Sequence, residues 1–117
     1  MKLNNMTLDT ELLERAIVAF GHEPQVDVAI EEMAELTKAL CKLKRAGTHD
    51  EIQTAKEQIR EELADVYIMI LQMAIIFDGS PSSSRVPAII IEKMERLDKR
   101  LRDRDEAALE HWRKAEE

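Results

Sequence analysis

Apolar side chains recur every three or four positions along most of the chain, which is the period of an amphipathic α-helix. Gly21, Gly47 and Gly79 interrupt the pattern, and glycine is typical of the residue that follows a helix. Thr7 or Asp9 can cap the first helix through a side-chain oxygen. The pattern predicts four helices, from about Leu8 to Phe20, Pro24 to Ala46, Asp50 to Gly79 and Pro87 to Ala115.

The third predicted helix changes character along its length. Before Glu61 it is amphipathic, but from Val66 to Phe77 every residue except Gln72 is apolar. A helix that is apolar all round is normally buried all round, and this run is shorter than the roughly 20 residues that span a bilayer. The run therefore predicts a homodimer or a homotetramer. The alternative is a central helix that the chain's own other helices surround.

The composition favours an all-α fold. Charged residues make up 35% of the chain, whereas Gly and Pro number only three each, which suits helices better than strands and turns. Aromatic residues are 3%, so the core must be aliphatic. With 117 residues, we predict a single domain over 1–117, with a four-helix bundle-like fold that oligomerisation completes.

Net charge and cysteine content exclude some classes of function. The net charge of −7 argues against a nucleic-acid-binding protein, which needs a basic surface. An acidic protein that handles polyphosphates would need a bridging cation. The single Cys41 precludes an intramolecular disulfide and is predicted to be a buried thiol. The polar Met1–Met6 segment is too short for a signal peptide, so we predict a cytoplasmic protein with no membrane partner.

Two acidic motifs stand midway along the second and third helices. Glu32 and Glu35 are one helical turn apart, as are Glu62 and Asp65, so each pair projects from one helix face. Like charges at this spacing repel each other unless a cation lies between them. If the two helices pack antiparallel, four carboxylates come together and supply the oxygen ligands that Mg²⁺ prefers. Facing carboxylates of this kind are known to build metal centres inside helical bundles.

The alternative is that these pairs are ordinary solvated carboxylates among the 24 acidic residues of the chain. For Glu32 and Glu35 the two interpretations are equally good. Glu62 and Asp65, by contrast, share a helix side with Met69 and Ile76, where the helix becomes apolar. A carboxylate that borders a buried face is destabilising unless it is paired or bound to a metal. The metal-site hypothesis is therefore stronger for the second pair.

Both motifs, in this order on adjacent helices, resemble the signature of the MazG-type all-α NTP pyrophosphatases. The resemblance spans roughly Leu12 to Arg100 and includes Phe20, Gly21 and Gln25 ahead of the first motif. It implies that the metal ligands and catalytic carboxylates are Glu32, Glu35, Glu62 and Asp65, with Glu31 and Glu61 as accessory carboxylates. The implied cofactor is Mg²⁺, for which Mn²⁺ can substitute.

The family often carries a Lys-x-x-x-Asn-x-x-Arg pattern on its last helix, where it contacts phosphates. Lys93 and Arg100 match this pattern, but Leu97 stands at the position of the Asn. A solvated helix face is an equally good interpretation of Lys93 and Arg100. Gln25 is a candidate for binding a base edge, and the alternative is a water-exposed residue at a helix N-terminus.

The reaction implied by the resemblance is hydrolysis of a nucleoside triphosphate to the monophosphate and pyrophosphate. Water would attack the α-phosphorus, with Glu32 or Glu35 as the general base. A second hypothesis keeps the fold and changes the substrate, as in the phosphoribosyl-ATP pyrophosphohydrolases. A third is a catalytically inert helical dimer that binds another protein through the charged segment Glu92 to Glu117. The preferred base and sugar stay open.

Overall fold

The computed structural model of the chain describes residues 2–3, 6–79 and 83–116, with side chains in 8–79 and 83–116. These residues confirm the predicted all-α fold. Its four helices are α1 (Thr10–Phe20), α2 (His22–Arg45), α3 (His49–Asp78) and α4 (Val86–Glu116). A short antiparallel pairing of β1 (Lys2–Leu3) with β2 (Met6–Thr7), which the sequence pattern did not predict, precedes them.

The helices begin at residues whose side chains cap the backbone. Asp9, one of the two predicted candidates, caps α1, because its Oδ1 accepts a hydrogen bond from the Leu12 N–H at 3.0 Å. Thr48 caps α3, with its Oγ1 accepting from the Glu51 N–H at 3.1 Å. Pro24 lies in the first turn of α2, where a helix tolerates the missing N–H. These contacts explain why the helices begin close to the predicted residues.

Gly21 joins α1 to α2 as a one-residue connection. Its φ of 96° and ψ of 155° fall in a region that is essentially open to glycine alone. In this conformation the Gly21 N–H donates to the carbonyl of Ile17 at 2.8 Å, which closes the last turn of α1. The absence of a Cβ therefore permits the backbone conformation that joins the two helices.

Replacing Gly21 by Ala is expected to lower the free energy of unfolding by about 1–3 kcal/mol, because a Cβ is strained at this φ. The added Cβ would also lie 3.4 Å from Cδ of Pro24. Urea unfolding followed by circular dichroism measures the effect. Gly47→Ala is the matched control, because no atom lies within 4 Å of a Cβ at that position. Equal stability of the two variants would contradict this account of the turn.

α2 and α3 pack as an antiparallel hairpin with a coiled-coil-like seam. Gln25 near the start of α2 contacts Gln72 near the end of α3, whereas Ala39 and Gln58 line a shared cavity closer to the connecting turn. In both helices, residues spaced alternately by three and four are buried or half-buried, which is the pattern of interlocking helices. On α2 the seam comprises Gln25, Ala29, Glu32, Leu36, Ala39 and Leu43. On α3 it comprises Ile52, Ala55, Ile59, Glu62, Val66, Met69, Met73 and Ile76.

Two sides of this hairpin differ sharply in polarity. Residues that directly follow seam positions point to the same side of both helices, because the helices run antiparallel. On this side, which we name the apolar face, seven large apolar side chains are exposed: Ile30, Met33, Leu40, Leu63, Tyr67, Ile70 and Phe77. The same side also carries exposed polar residues, mostly nearer the connecting turn: Thr37, Lys44, Gln53, Lys56 and Arg60. The opposite side, which we name the site face, carries Glu35, Lys38, Gln58, Glu61 and Asp65.

The apolar run Val66 to Phe77 is buried on one side only. Val66, Met69 and Leu71 are buried, whereas Phe77 is 73% exposed and Tyr67 is 45% exposed. Helices α1 and α2 therefore leave part of this segment uncovered. Burial by a second copy stays a prediction.

The chain divides into two compact units, Met1–Ser84 and Arg85–Glu117. In the first unit α1 packs against both α2 and α3, and the core is small and aliphatic, as the composition predicted. Cys41 is exposed, so the prediction of a buried thiol is wrong. Cys41 lies on the side of α2 that faces away from the seam.

The second unit is α4, whose described residues are almost all exposed. Its surface carries ion pairs between neighbouring turns, for example Lys99 with Asp103 at 2.9 Å and Arg102 with Asp98 at 3.1 Å. None of the helices described is both long and apolar enough to cross a membrane.

Candidate metal centre

Three of the four predicted carboxylates come together across the α2–α3 seam. One carboxylate oxygen each from Glu32, Glu62 and Asp65 lies within 4.8 Å of the other two. Glu32 and Glu62 occupy seam positions of their helices, and Asp65 projects one turn beyond Glu62 on the site face. On α2, Glu32 lies between the seam positions of Ala29, which is buried, and Leu36, which is half-buried. We name this cluster the acidic triad.

The acidic triad holds charge that the described residues do not compensate. Oε2 of Glu62 is buried and has no hydrogen-bond partner among the residues that the structure describes. Burial, and then the charges of Asp65 and Glu62, raise the pKa of Glu32 above its ordinary value of 4.5. When both are ionised, Glu32 and Glu62 have no proton to share, so a hydrogen bond between them requires one to be protonated. A proton or a cation is needed to stabilise this arrangement.

A hard divalent cation fits this set of donors. Three carboxylates offer oxygen ligands, as Mg²⁺ requires, and leave coordination positions for water and for phosphate oxygens. The orphaned oxygen of Glu62 separates the triad from ordinary solvated acidic pairs, because a solvated carboxylate satisfies its oxygens with water. Glu57 shows the solvated case, being exposed and paired only with Arg60.

Glu35 lies beside the acidic triad rather than within it. Its side chain is exposed on the site face, one turn from Glu32, and it lines a cavity of about 200 Å³ together with Glu61 and Glu62. The pair Glu32/Glu35 is thus divided: Glu32 enters the seam and Glu35 borders the cavity next to it. Glu62 belongs to both the triad and this cavity.

Gln25 is buried, so the prediction of a water-exposed residue at a helix N-terminus is wrong. Its Nε2 donates a hydrogen bond to Oε1 of Gln72 at 2.5 Å, across the seam. Gln72 is the one polar residue in the apolar run of α3. A buried amide needs a hydrogen-bond partner, so this residue was the feature of the sequence that indicated the contact. The structure therefore gives Gln25 a role in joining α2 to α3, and base recognition stays a prediction.

Lys93 and Arg100 are exposed on α4, in the second unit. Neither forms an ion pair within the residues that the structure describes, whereas the nearby Lys99 and Arg102 do. Contact of Lys93 and Arg100 with phosphates stays a prediction from the family pattern.

The raised pKa of Glu32 gives an expected pH dependence of the metal-free protein. The folded chain binds the Glu32 proton more tightly than the unfolded chain does. Protonation of Glu32 therefore stabilises the fold at low pH, and this stabilisation is lost as the pH rises through the raised pKa. At pH 7 Glu32→Gln should therefore be more stable than the wild type in EDTA, and its advantage should shrink as the pH falls to about 4.5. Urea unfolding at several pH values tests this, with Glu57→Gln as the control. A stability difference between Glu32→Gln and the wild type that stays the same at every pH would contradict this prediction.

No protein-family model, curated protein or solved structure matches the chain.

Proposed function

We propose that the chain is a Mg²⁺-dependent nucleoside triphosphate pyrophosphohydrolase similar to the MazG-type enzymes. The observation that carries this proposal is the buried, unpartnered Oε2 of Glu62 facing Glu32 and Asp65. Such an oxygen is costly in a marginally stable protein unless a ligand compensates it. The order of the two acidic motifs along α2 and α3 connects the site to this enzyme family.

Glu32, Glu62 and Asp65 would hold the cation, and Glu35 borders the cavity beside them. Bound Mg²⁺, or Mn²⁺ in its place, supplies positive charge that neutralises the triphosphate and acidifies water. Glu35 is exposed and outside the triad, so we assign to it, rather than to Glu32, the role of accepting a proton from the attacking water.

In the proposed reaction the oxygen of water bonds to the α-phosphorus. The bond from the α-phosphorus to the oxygen bridging it to the β-phosphorus breaks, and pyrophosphate leaves with that oxygen and its electron pair. One proton passes from the water to Glu35 and then to solvent. The products are the nucleoside monophosphate and pyrophosphate.

We also propose that two copies of the chain associate through the apolar face. This face lies opposite the site face on the α2–α3 hairpin, so association leaves the acidic triad open to substrate. Both helices contribute large exposed apolar side chains to this face, and clustered exposed apolar residues are typical of protein interfaces.

Incubation of the protein with a panel of canonical and modified NTPs and dNTPs in Mg²⁺, with phosphoribosyl-ATP included, tests the proposed activity. We expect monophosphate and pyrophosphate as products, and in H₂¹⁸O we expect the label in the monophosphate. Label in orthophosphate, or no turnover of any nucleotide, would overturn the proposal. Turnover of phosphoribosyl-ATP alone would support the second hypothesis instead.

Thermal unfolding with added Mg²⁺ or Mn²⁺ tests the metal centre independently. A cation that binds only the folded state raises the melting temperature with its concentration. A non-catalytic helical dimer would show no such increase beyond the effect of an equal ionic strength of NaCl.

A further inference from the structure

Two adjoining cavities extend from the acidic triad along the site face of the α2–α3 hairpin. The smaller, of about 200 Å³, begins at Glu62 of the triad. The larger, of about 480 Å³, continues towards the turn between the helices. Lys42 and Gln58 line both cavities, so the two form one groove.

Cations line this groove beyond the triad, and the carboxylates Asp50 and Glu51 also line its larger cavity. Lys38 and Lys42 line the smaller cavity, and Lys42 and Arg45 line the larger one, with about one helical turn between successive cations on α2. None of the three forms an ion pair within the part of the chain that the structure describes, although the chain carries a net charge of −7. Unpaired cations in a concave surface are a ready site for an anion.

The order of charges along the groove matches a polyphosphate. Carboxylates for a cation lie at one end, and Lys38 and Lys42 follow about 9 and 15 Å further along α2 from Glu32, at 1.5 Å of rise per residue. The two carboxylates of the larger cavity lie beyond them, so the cations occupy the middle of the groove. An anion held by a cation at the triad would extend its remaining phosphates towards these side chains. Thr54 and Gln58, on the opposite wall, offer further hydrogen-bond donors.

Cations near the C-terminus of a helix also stabilise it through the helix dipole, which gives a purely structural explanation. Lys42, Lys44 and Arg45 all lie in the last turn of α2. The dipole acts on Lys44 as it does on Lys42, but Lys44 lines neither cavity. Lys38 lies before the last turn, where the dipole effect is weak. A comparison of Lys42 with Lys44 therefore separates the two explanations.

We propose that this groove binds the polyphosphate part of the substrate, with Lys38, Lys42 and Arg45 contacting the β- and γ-phosphates and then the departing pyrophosphate. This inference rests on the proposed function, because it takes the acidic triad as the place where the cation sits. It adds binding residues on α2 that the family pattern on α4 does not include.

Titration calorimetry with inorganic tripolyphosphate in Mg²⁺ tests the groove without requiring a known nucleotide. We expect Lys38→Ala and Lys42→Ala each to weaken binding by about 10- to 100-fold, the loss of one charge-assisted contact. Lys44→Ala should bind as the wild type does. In a nucleotide assay the same two variants should raise KM more than they lower kcat.

The increase in melting temperature with Mg²⁺ alone makes failure of the groove distinguishable from failure of the metal centre. If the wild type shows this increase but binds no tripolyphosphate, the groove proposal is overturned and the metal centre stands. Unchanged binding in Lys42→Ala overturns it too. The groove proposal is also overturned if Lys93→Ala weakens tripolyphosphate binding while Lys38→Ala and Lys42→Ala do not. Lys42→Gln, which keeps most of the side-chain length, repeats the test at the same position.

Discussion

Glu62→Gln is expected to reduce Mg²⁺-dependent pyrophosphate release by about 10²- to 10³-fold and, at the same time, to stabilise the metal-free protein. The amide keeps the shape of the side chain but removes one negative charge from the acidic triad, which weakens the hold on the cation and its transition-state charge. The same amide can donate a hydrogen bond to Glu32, which in the wild type faces an unpartnered oxygen. Activity and stability should therefore change in opposite directions.

Rates with a saturating nucleotide, together with urea unfolding in EDTA, measure both effects on the same preparations. Asp65→Asn should show the loss of activity with a smaller gain in stability, because Asp65 is exposed. Glu57→Gln, on the same helix but outside the triad, serves as the matched control. A Glu62→Gln variant that turns over at the wild-type rate would show that the triad does not hold the catalytic cation.

The sequence predicted the helices well because their ends are determined locally. Asp9, Gly21 and Thr48 act through hydrogen bonds and backbone conformations that involve only residues within a turn or two. The period of the apolar residues also identified the buried side of the third helix, on which Glu62, Met69 and Ile76 share the seam.

The side of α2 that packs against α3 was harder to predict, because the apolar residues of α2 cover more than one face. Ile30, Met33 and Leu40 are apolar and recur at helical spacing, yet their side chains are exposed. The seam instead passes through small and polar residues, Gln25, Ala29 and Ala39, which allow α3 to approach closely. This choice of face depends on tertiary packing, and it decides that Glu32 rather than Glu35 joins the triad.

The groove cations Lys38 and Lys42 were missed for the same reason. On a helix read by itself they are ordinary surface lysines, and only the packing of α3 along α2 places them in a concave surface next to Glu62. Their spacing of about one turn after the first acidic motif was the sequence signal. The packing of α2 on α3 therefore brings the charged side chains of the site face together. The same packing leaves the apolar side chains of the apolar face exposed.

Because the apolar face is exposed, a single charge placed on it should disrupt the proposed association of two chains. Ile70→Glu should convert the proposed dimer to monomers, raising its dissociation constant by at least about 100-fold. The variant places an unpaired charge at the centre of the apolar face, and burying one costs several kcal/mol. Ile70 is 49% exposed in the single chain, so the helices themselves should tolerate the substitution. Light scattering after size-exclusion chromatography, over a range of protein concentrations, gives the mass.

Val18→Glu is the matched control, since Val18 is an 85% exposed apolar residue on α1, outside the apolar face. It makes the same change of polarity and should keep the wild-type mass. Circular dichroism should show equal helix content in both variants, and Ile70→Glu should also unfold at a lower temperature because it loses the stabilisation by association. A wild-type chain that is monomeric at every concentration would contradict the proposed interface. If Val18→Glu alone dissociates the oligomer, the contact surface lies on α1, and the apolar face of the hairpin has another partner.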